Sequence, residues 1–193
     1  GEMGIGNTTT SSAVLAALPG APVEALTGRG GGLTDSAFET KKRVIQQALD
    51  LHRPPQDDPV AVLSMVGGLD LAAMTGAFLG CAREGVAAVV DGFISVVAAL
   101  CAARLCPAAK DMMFLSHASY EAGYRLAADE RGLEPCLLLG MRLGEGSGCP
   151  LMFRVLQGAC AVLRDMATFA EGEIQDDYLA PIRAMDAFTV ENT

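Results

Sequence analysis

The chain has 193 residues, of which 51% are hydrophobic and 19% charged, and 14 Lys and Arg against 23 Asp and Glu give a net charge of −9. This length and apolar content exclude a disordered segment and suit one domain with a sizeable buried core. The acidic balance and the 5% aromatic content, without tryptophan, argue against nucleic-acid and membrane-surface binders, which need basic faces and stacking side chains.

The first half of the chain predicts helices separated by glycine- and proline-rich breaks. Asn7 or Thr8 can cap the first helix, Thr34 or Asp35 the second, and Asp58 the third. The stretch 21–33 is loop-like. The four predicted helices run through Ala13–Leu18, to about Leu51, over Val60–Val66 and over about Asp70–Glu84.

The second half alternates short apolar strands with helices three times, the pattern of a parallel sheet flanked by helices. The predicted strands are Val86–Val90, Met112–Leu115 and Cys136–Leu139, and the predicted helices are Phe93–Leu105, Tyr120–Arg131 and about Pro150–Asp165. Such sheets bind ligands at the carboxyl ends of their strands. Site residues are therefore expected in the loops Asp91–Gly92, Ser116–Ser119 and Gly140–Gly148 of an α/β fold.

The six cysteines form no CxxC pair, and with only two histidines they give no zinc-ligand spacing. Cys81, Cys101, Cys136 and Cys160 lie in apolar stretches, so we expect buried free thiols in a reducing compartment. No apolar run reaches the roughly 20 residues of a membrane span, and no signal peptide is visible. The sequence therefore predicts a cytoplasmic protein without a metal site.

Glycines punctuate the first loop, residues 1–7, which leads into the first helix. Its backbone N–H groups can close on an anion, but it has neither the Walker GK[ST] nor GxGxxG, and a plain tight turn is an equal alternative. Glu2 suits the hydroxyl donors of a ribose. Lys41 or Lys42 can reach a phosphate from the second helix, although such a pair is usually solvated surface.

The last loop carries the strongest candidate for acid–base chemistry. Glu145 lies among Gly140, Gly144, Gly146 and Gly148, between a predicted strand and a predicted helix. It is either a surface loop residue or a positioned general base. Its apolar neighbours in the same loop, which can shield it from water, are Met141 and Leu143.

Two further strand ends carry polar side chains with two interpretations each. Ser116, His117 and Ser119 can bind a phosphate or a hydroxyl, while His117 as a structural capping residue is an equal alternative. Asp91 can bind a cation or a hydroxyl, or can simply form the turn before Gly92. From these residues alone the chain is a small α/β unit that handles a nucleotide, as a transferase or a hydrolase.

Several multi-residue motifs occur together in one order. They are EMGIGNTT at 2–9, TGRG at 27–30, GG with AAM and G at 67–76, DGFIS at 91–95, SHxS at 116–119 and GMRLGEG at 140–146. In this combination the chain closely resembles the nicotinate-nucleotide–dimethylbenzimidazole phosphoribosyltransferase family over roughly residues 1–170.

The resemblance implies a Rossmann-like parallel sheet flanked by helices, part of a small helical domain, and a homodimer. It implies transfer of the phosphoribosyl group of nicotinate mononucleotide to 5,6-dimethylbenzimidazole or a related azole, giving α-ribazole 5′-phosphate and nicotinate in cobalamin lower-ligand synthesis, without a cofactor. The family's catalytic base falls on Glu145. Its substrate contacts fall on Glu2, Gly4, Ile5, Gly30, Lys41, Ser119 and Gly144.

The family chain is nearly twice as long, so we expect this chain to match its C-terminal half or so. Residues 1–170 would then be part of the phosphoribosyltransferase domain, followed by an acidic tail over 171–193 that carries six acids and one base. Two alternatives stay open. One is a non-catalytic fragment or subunit that needs a partner half, and the other is a nucleotide-binding hydrolase.

Overall fold

A computed structural model of the chain describes residues 5–130, 132–141, 143–175 and 177–184. The chain divides into two compact units, residues 1–154 and 155–193. The described part is mostly helical with one small parallel sheet. Its elements are α1 (Asn7–Ala17), α2 (Val23–Leu26), α3 (Asp35–His52), α4 (Pro59–Val66), α5 (Leu69–Glu84), β1 (Ala88–Val90), α6 (Phe93–Leu105), a 3₁₀ helix (Pro107–Met112), β2 (Met113–Leu115), α7 (Tyr124–Asp129), α8 (Gly148–Asp165), a 3₁₀ helix (Asp177–Leu179) and α9 (Ala180–Ala184).

Two helices of small apolar residues form the centre of the first unit. Every residue of α6 from Val96 to Ala103 is buried, and α6 packs against α1, α5 and α7. The stretch from Ser11 to Leu18 on α1 is buried on all sides as well. Such helices show no polar face because none of their faces meets water. Along the described residues, we find no helix with both the length and the apolar character that a membrane span requires.

The sheet consists of β1 and β2, which pair in parallel with Ala88 opposite Met113 and Val90 opposite Leu115. This confirms the parallel arrangement that the alternating pattern predicts. The predicted third strand over Cys136–Leu139 is wrong in extent, because it is reduced to one parallel bridge between His117 and Leu137. Leu138 and Leu139 are 79% and 59% exposed, so the apolar run that suggested a buried strand is not covered here.

Helix boundaries follow the sequence where a local signal sets them. Thr34 caps α3 by accepting a hydrogen bond from Ala37 N, and Asp58 caps α4 by accepting from Val60 N and Ala61 N. The helix over Phe93–Leu105 is confirmed at both ends. The loop-like stretch 21–33 contains one short helix, α2, that the sequence did not predict.

The cap of α1 is wrong in the sequence prediction. Gly6 takes the cap position with a φ of 90°, and no side chain there bonds to the helix. Asn7 and Thr8 are the first helical residues, and their polar atoms bond across the fold to Asp70 and Lys41. A glycine adopts this positive φ without a steric penalty, which frees the two polar side chains for those partners.

The helix predicted over Tyr120–Arg131 is also wrong in extent, because α7 begins only at Tyr124. Ser119 Oγ accepts a hydrogen bond from Glu121 N at 3.4 Å, a local contact that competes with helical pairing. A Cβ on Gly123 would lie 2.7 Å from Leu15 and 2.9 Å from the carbonyl oxygen of Leu26. Gly123 is the cap residue of α7, and a side chain at this position would not fit. Arg131 lies outside the described residues.

All six cysteines are free thiols, as the sequence predicts. Cys101 is buried, and this burial raises the pKa of its thiol to about 12. The expectation of burial is wrong for Cys136 and Cys160, which are both exposed. Cys160 lies in the amphipathic helix α8, which buries only Gly148 and Met152, so an apolar neighbourhood in sequence does not enclose it.

Candidate active site

One group of polar atoms surrounds a buried lysine between α1 and α3, and we call it the Lys41 cluster (Thr8, Gly28, Gly30, Lys41 and Glu121). Lys41 is 7% exposed, and its Nζ donates to Thr8 Oγ1 at 2.9 Å and to the carbonyl oxygen of Gly28 at 2.8 Å. Desolvation lowers the pKa of Lys41, and the nearby Glu121 carboxylate opposes that shift. The cluster thus holds an ammonium group in a fixed direction.

The two glycines of the cluster keep space for this arrangement. Gly30 has a φ of 53°, and a Cβ there would lie 3.0 Å from Thr8 Oγ1. A Cβ on Gly28 would overlap the carboxylate of Glu121. Side chains at either position would displace Thr8 or Glu121 from the neighbourhood of the lysine.

The sequence left open whether Lys41 or Lys42 turns inward. Lys42 Nζ pairs with Glu39 Oε1 at 2.6 Å and lies 4.7 Å from the centre of the Phe38 ring. Its partners are neighbours on its own helix. Lys41 is therefore the lysine that turns inward, toward Thr8 of α1 and the carbonyl oxygen of Gly28.

A second group lies at the carboxyl end of the sheet, where we define the strand-end network as Asp91, Ser116 and His117. Ser116 Oγ lies 3.0 Å from His117 Nδ1 and donates to the carbonyl oxygen of Asp91 at 3.3 Å. His117 Nδ1 is 3.7 Å from Asp91 Oδ1, and all three residues are buried. The imidazole of His117 packs within this network, beside Gly148 at the start of α8, and its role as a capping residue stays a prediction.

The loop that carries Glu145 lies directly on the strand-end network. Asp91 Oδ2 accepts from Gly146 N at 3.0 Å, and Asp91 Oδ1 accepts from Gly148 N at 2.8 Å. Gly144, Glu145 and Gly146 have φ values of 72°, 58° and 73°. Glu145 is exposed, as is Leu143 at 74%, so the predicted shielding of Glu145 is wrong for Leu143 within this chain.

The segment after β2 joins the two groups. Ser119 Oγ lies 3.8 Å from the position of a Cβ on Gly92, next to Asp91, and it also accepts from Glu121 N. Glu121 in turn reaches Gly28 in the Lys41 cluster. Ser119 thus lies between the two groups in the first unit, and we call the stretch from the Lys41 cluster past Ser119 to the loop of Glu145 the polar edge.

The other predicted site residues lie at the two ends of this edge. Ile5 precedes α1 and is 97% exposed, and Gly144 is adjacent to Glu145. Glu2 and Gly4 lie outside the described residues. Within the described ranges, no three His, Cys, Asp or Glu side chains are grouped to hold a metal ion.

The sequence did not predict the positions of Thr8 and Glu121 beside the lysine. It also did not predict the two backbone bonds of Asp91 to the Glu145 loop. Asp91 and Gly146 are 55 residues apart, and Thr8 and Lys41 are 33 apart. Only the position of Asp91 after a predicted strand pointed to a role. Its partners depend on tertiary contacts that no local pattern encodes.

Tyr124 gives a stability prediction beside this edge, because its hydroxyl is buried without a hydrogen-bond partner among the described residues. Burial raises the pKa of Tyr124 to about 12, and the Asp91 carboxylate adds to the shift. Tyr124→Phe should therefore leave the free energy of unfolding at pH 7 unchanged or raise it.

Between pH 10 and 12 the unfolded chain loses the tyrosine proton first. In this pH range the free energy of unfolding of the wild-type protein should fall by up to about 1.4 kcal/mol per pH unit because of this tyrosine, and Tyr124→Phe should not show this loss. Urea unfolding at pH 7 and above pH 10 measures both effects. A loss of more than about 1 kcal/mol at pH 7 would contradict the unpartnered hydroxyl.

The chain is similar to known proteins in both sequence and structure. A family model described as phosphoribosyltransferase matches residues 1–174. A nicotinate-nucleotide–dimethylbenzimidazole phosphoribosyltransferase of Clostridium perfringens is 52% identical over 190 residues, which are 98% of this chain and 53% of that protein. The protein of the same name from Desulforamulus reducens is 48% identical over 174 residues, 90% of this chain and 50% of that protein.

Solved structures agree with these sequence matches. The crystal structure of CobT from Thermus thermophilus is similar to this chain with a TM-score of 0.82 and 37% sequence identity, over 89% of this chain and 51% of that chain. The chain thus spans about half the length of the curated relatives it matches.

Proposed function

The chain belongs to the phosphoribosyltransferase family whose model matches residues 1–174, and from this membership we propose that it transfers the phosphoribosyl group of nicotinate mononucleotide to 5,6-dimethylbenzimidazole or a related azole. The products are α-ribazole 5′-phosphate and nicotinate. The reaction is a step of cobalamin lower-ligand synthesis. The observation that carries the proposal is the polar edge, along which the buried ammonium of Lys41, the Ser119 hydroxyl and the loop of Glu145 lie in one unit.

The Lys41 cluster is proposed to hold the phosphate of the nucleotide. An ammonium group carries three N–H bonds, and two of those on Lys41 point to Thr8 Oγ1 and to the carbonyl oxygen of Gly28. The third is then available to a phosphate oxygen, with the direction of the group already set. Ser119 can add a hydroxyl donor to the same ligand.

Glu145 is proposed to act as the general base. One ring nitrogen of the azole attacks C1′ of the ribose while its other nitrogen loses a proton to the Glu145 carboxylate. The bond from C1′ to the nicotinate nitrogen breaks, and its electron pair stays on nicotinate. Attack opposite the leaving group inverts C1′, so a β-nucleotide becomes an α-riboside. The remaining catalysis consists of holding two flat reactants in line.

Further parts of the proposal follow from family membership. Glu2, Gly4, Ile5, Gly30 and Gly144 remain predicted substrate contacts, and the parallel strands are proposed to belong to a Rossmann-like sheet with part of a small helical domain. Large exposed apolar side chains support a homodimer, among them Leu138, Leu143 and Leu163. Six free thiols support a cytoplasmic location.

The phosphate assignment gives a prediction for Lys41. Lys41→Met should raise KM for nicotinate mononucleotide about tenfold or more, because a charge-assisted hydrogen bond to phosphate is lost. Lys42→Met is the matched control, since Lys42 pairs with Glu39 on its own helix, and its KM should stay within about twofold. Steady-state kinetics at saturating azole measures both. An unchanged KM in Lys41→Met would contradict the assignment.

The proposed reaction is tested by the azole dependence of nicotinate release. The protein as its gene encodes it is incubated with nicotinate mononucleotide, with and without 5,6-dimethylbenzimidazole, and nicotinate is quantified. Release that requires the azole is the expected result. Equal release without azole would indicate a hydrolase, and no release at high protein concentration would contradict the proposed activity.

A further inference from the structure

Asp91 is the one carboxylate of the strand-end network, and both of its oxygens are used on the loop that follows Glu145. Its Oδ2 accepts from Gly146 N at 3.0 Å and its Oδ1 accepts from Gly148 N at 2.8 Å. Asp91 is 9% exposed and follows β1 directly, so its own position is set by the sheet. The carboxylate therefore ties a rigid strand end to a glycine-rich loop 55 residues further along the chain.

The loop needs such a tie because of its backbone conformation. Gly144, Glu145 and Gly146 all have positive φ, and Glu145 carries a Cβ that makes this conformation unfavourable. Among the described residues of the loop, two hydrogen bonds close turns. Ser147 N donates to the carbonyl oxygen of Gly144, and Cys149 N donates to the carbonyl oxygen of Gly146. Glu145 itself is exposed and gains little from packing. The two bonds to Asp91 come from Gly146, the residue next to Glu145, and from Gly148.

The space beneath the loop is closed. A Cβ on Gly148 would lie 2.8 Å from Asp91 Oδ1 and nearer still to Ser116 Oγ and His117 Nδ1. The carboxylate is thus confined by Ser116 and His117 on one side and by the loop amides on the other. A carboxylate so enclosed cannot itself reach a substrate that Glu145 contacts from the solvent side.

We propose that Asp91 is a positioning residue, whose carboxylate holds the left-handed turn at Glu145 and so fixes the direction of the catalytic carboxylate. This inference rests on the proposed function of Glu145. It assigns Asp91 neither a cation nor a substrate hydroxyl, the two ligands that its sequence position suggested. The positive φ of Gly146, which suits a glycine, goes together with an N–H that points back to Asp91.

A double-mutant cycle tests this role with Asp91→Asn, a substitution that keeps the shape of the side chain and removes one acceptor. We expect kcat to fall about 10- to 100-fold, with KM for nicotinate mononucleotide held within about threefold, because only the orientation of the base changes. Asp91→Asn combined with Glu145→Gln should be no slower than Glu145→Gln alone. Multiplied losses in the double variant, or an unchanged kcat in Asp91→Asn, would overturn the positioning role.

Hydrogen exchange of the segment 144–149 gives a readout that does not depend on activity. In Asp91→Asn its amide exchange should speed up at least about tenfold, since two anchoring bonds are weakened. Asp58→Asn is the matched control, because Asp58 also accepts two backbone amides, at the start of α4. It should change neither this exchange nor kcat. Unaltered amide exchange of this segment in Asp91→Asn would overturn the proposal that Asp91 anchors the loop.

If Asp91→Asn does not fold, Asp91→Glu keeps the charge and shifts it by one methylene. The positioning role predicts a lower kcat for this variant as well, and a full kcat would overturn it. A wild-type protein without turnover would instead refute the proposed function. A wild-type protein that turns over, beside an Asp91→Asn variant that loses nothing, would refute only the positioning role.

Discussion

Glu145→Gln should lower kcat at least about 100-fold, the size of effect that follows loss of a positioned general base. The amide has nearly the same shape as the carboxylate but cannot accept the azole proton. Because Glu145 is exposed, the change should leave the free energy of unfolding within about 0.5 kcal/mol of wild type. KM for nicotinate mononucleotide should also change little, since the proposed phosphate contacts lie in the Lys41 cluster. Initial rates of nicotinate release at saturating azole, with the nicotinate mononucleotide concentration varied, give both kcat and KM.

Glu134→Gln provides the matched control for this experiment. It is the same substitution at an exposed glutamate of the same unit, outside the proposed site. Its kcat should stay within about twofold of wild type. A Glu145→Gln variant as active as this control would reject the role of Glu145 and leave the phosphate assignment to Lys41 unaffected.

Gly148→Ala should lower the free energy of unfolding by about 1–3 kcal/mol, the cost of adding a methyl group to a closely packed site. A Cβ there would meet Asp91, Ser116 and His117, which are all buried and cannot swing away into water. The same change should weaken the bond from Gly148 N to Asp91. Urea denaturation followed by circular dichroism measures the loss.

Gly158→Ala is the matched control, because Gly158 lies in the same helix, α8, and a Cβ there meets nothing within 4 Å. Alanine is more favourable than glycine in a helix by about 1 kcal/mol, so this variant should be as stable as wild type or more stable. If Gly148→Ala and Gly158→Ala lowered the free energy of unfolding equally, the loss would come from a change in α8 and not from a clash with the strand-end network.

The sequence could predict those elements whose ends are set by neighbouring residues. Thr34 and Asp58 cap their helices, and α6 begins and ends where the pattern places it. The parallel pairing of β1 and β2 follows from the alternation of strand and helix. The order of the motifs also identified the family, which the comparisons establish over residues 1–174.

Features that depend on distant partners could not be predicted in this way. α7 begins at Tyr124, after Gly123, which approaches Leu15 and the carbonyl oxygen of Leu26 too closely for a side chain, and these residues lie about a hundred positions earlier in the chain. The inward turn of Lys41 depends on Thr8, and the Glu145 loop depends on Asp91. In each case a polar or packing contact across the fold overrides the local preference.

We propose that this chain takes part in moving a phosphoribosyl group from nicotinate to an azole. Identifying the product of the reaction with nicotinate mononucleotide and 5,6-dimethylbenzimidazole, by mass spectrometry and proton NMR, tests it most directly. We expect one α-ribazole 5′-phosphate for each nicotinate released, with the inverted configuration at C1′. Ribose 5-phosphate in place of the riboside, a β-riboside, or the absence of any product would contradict it.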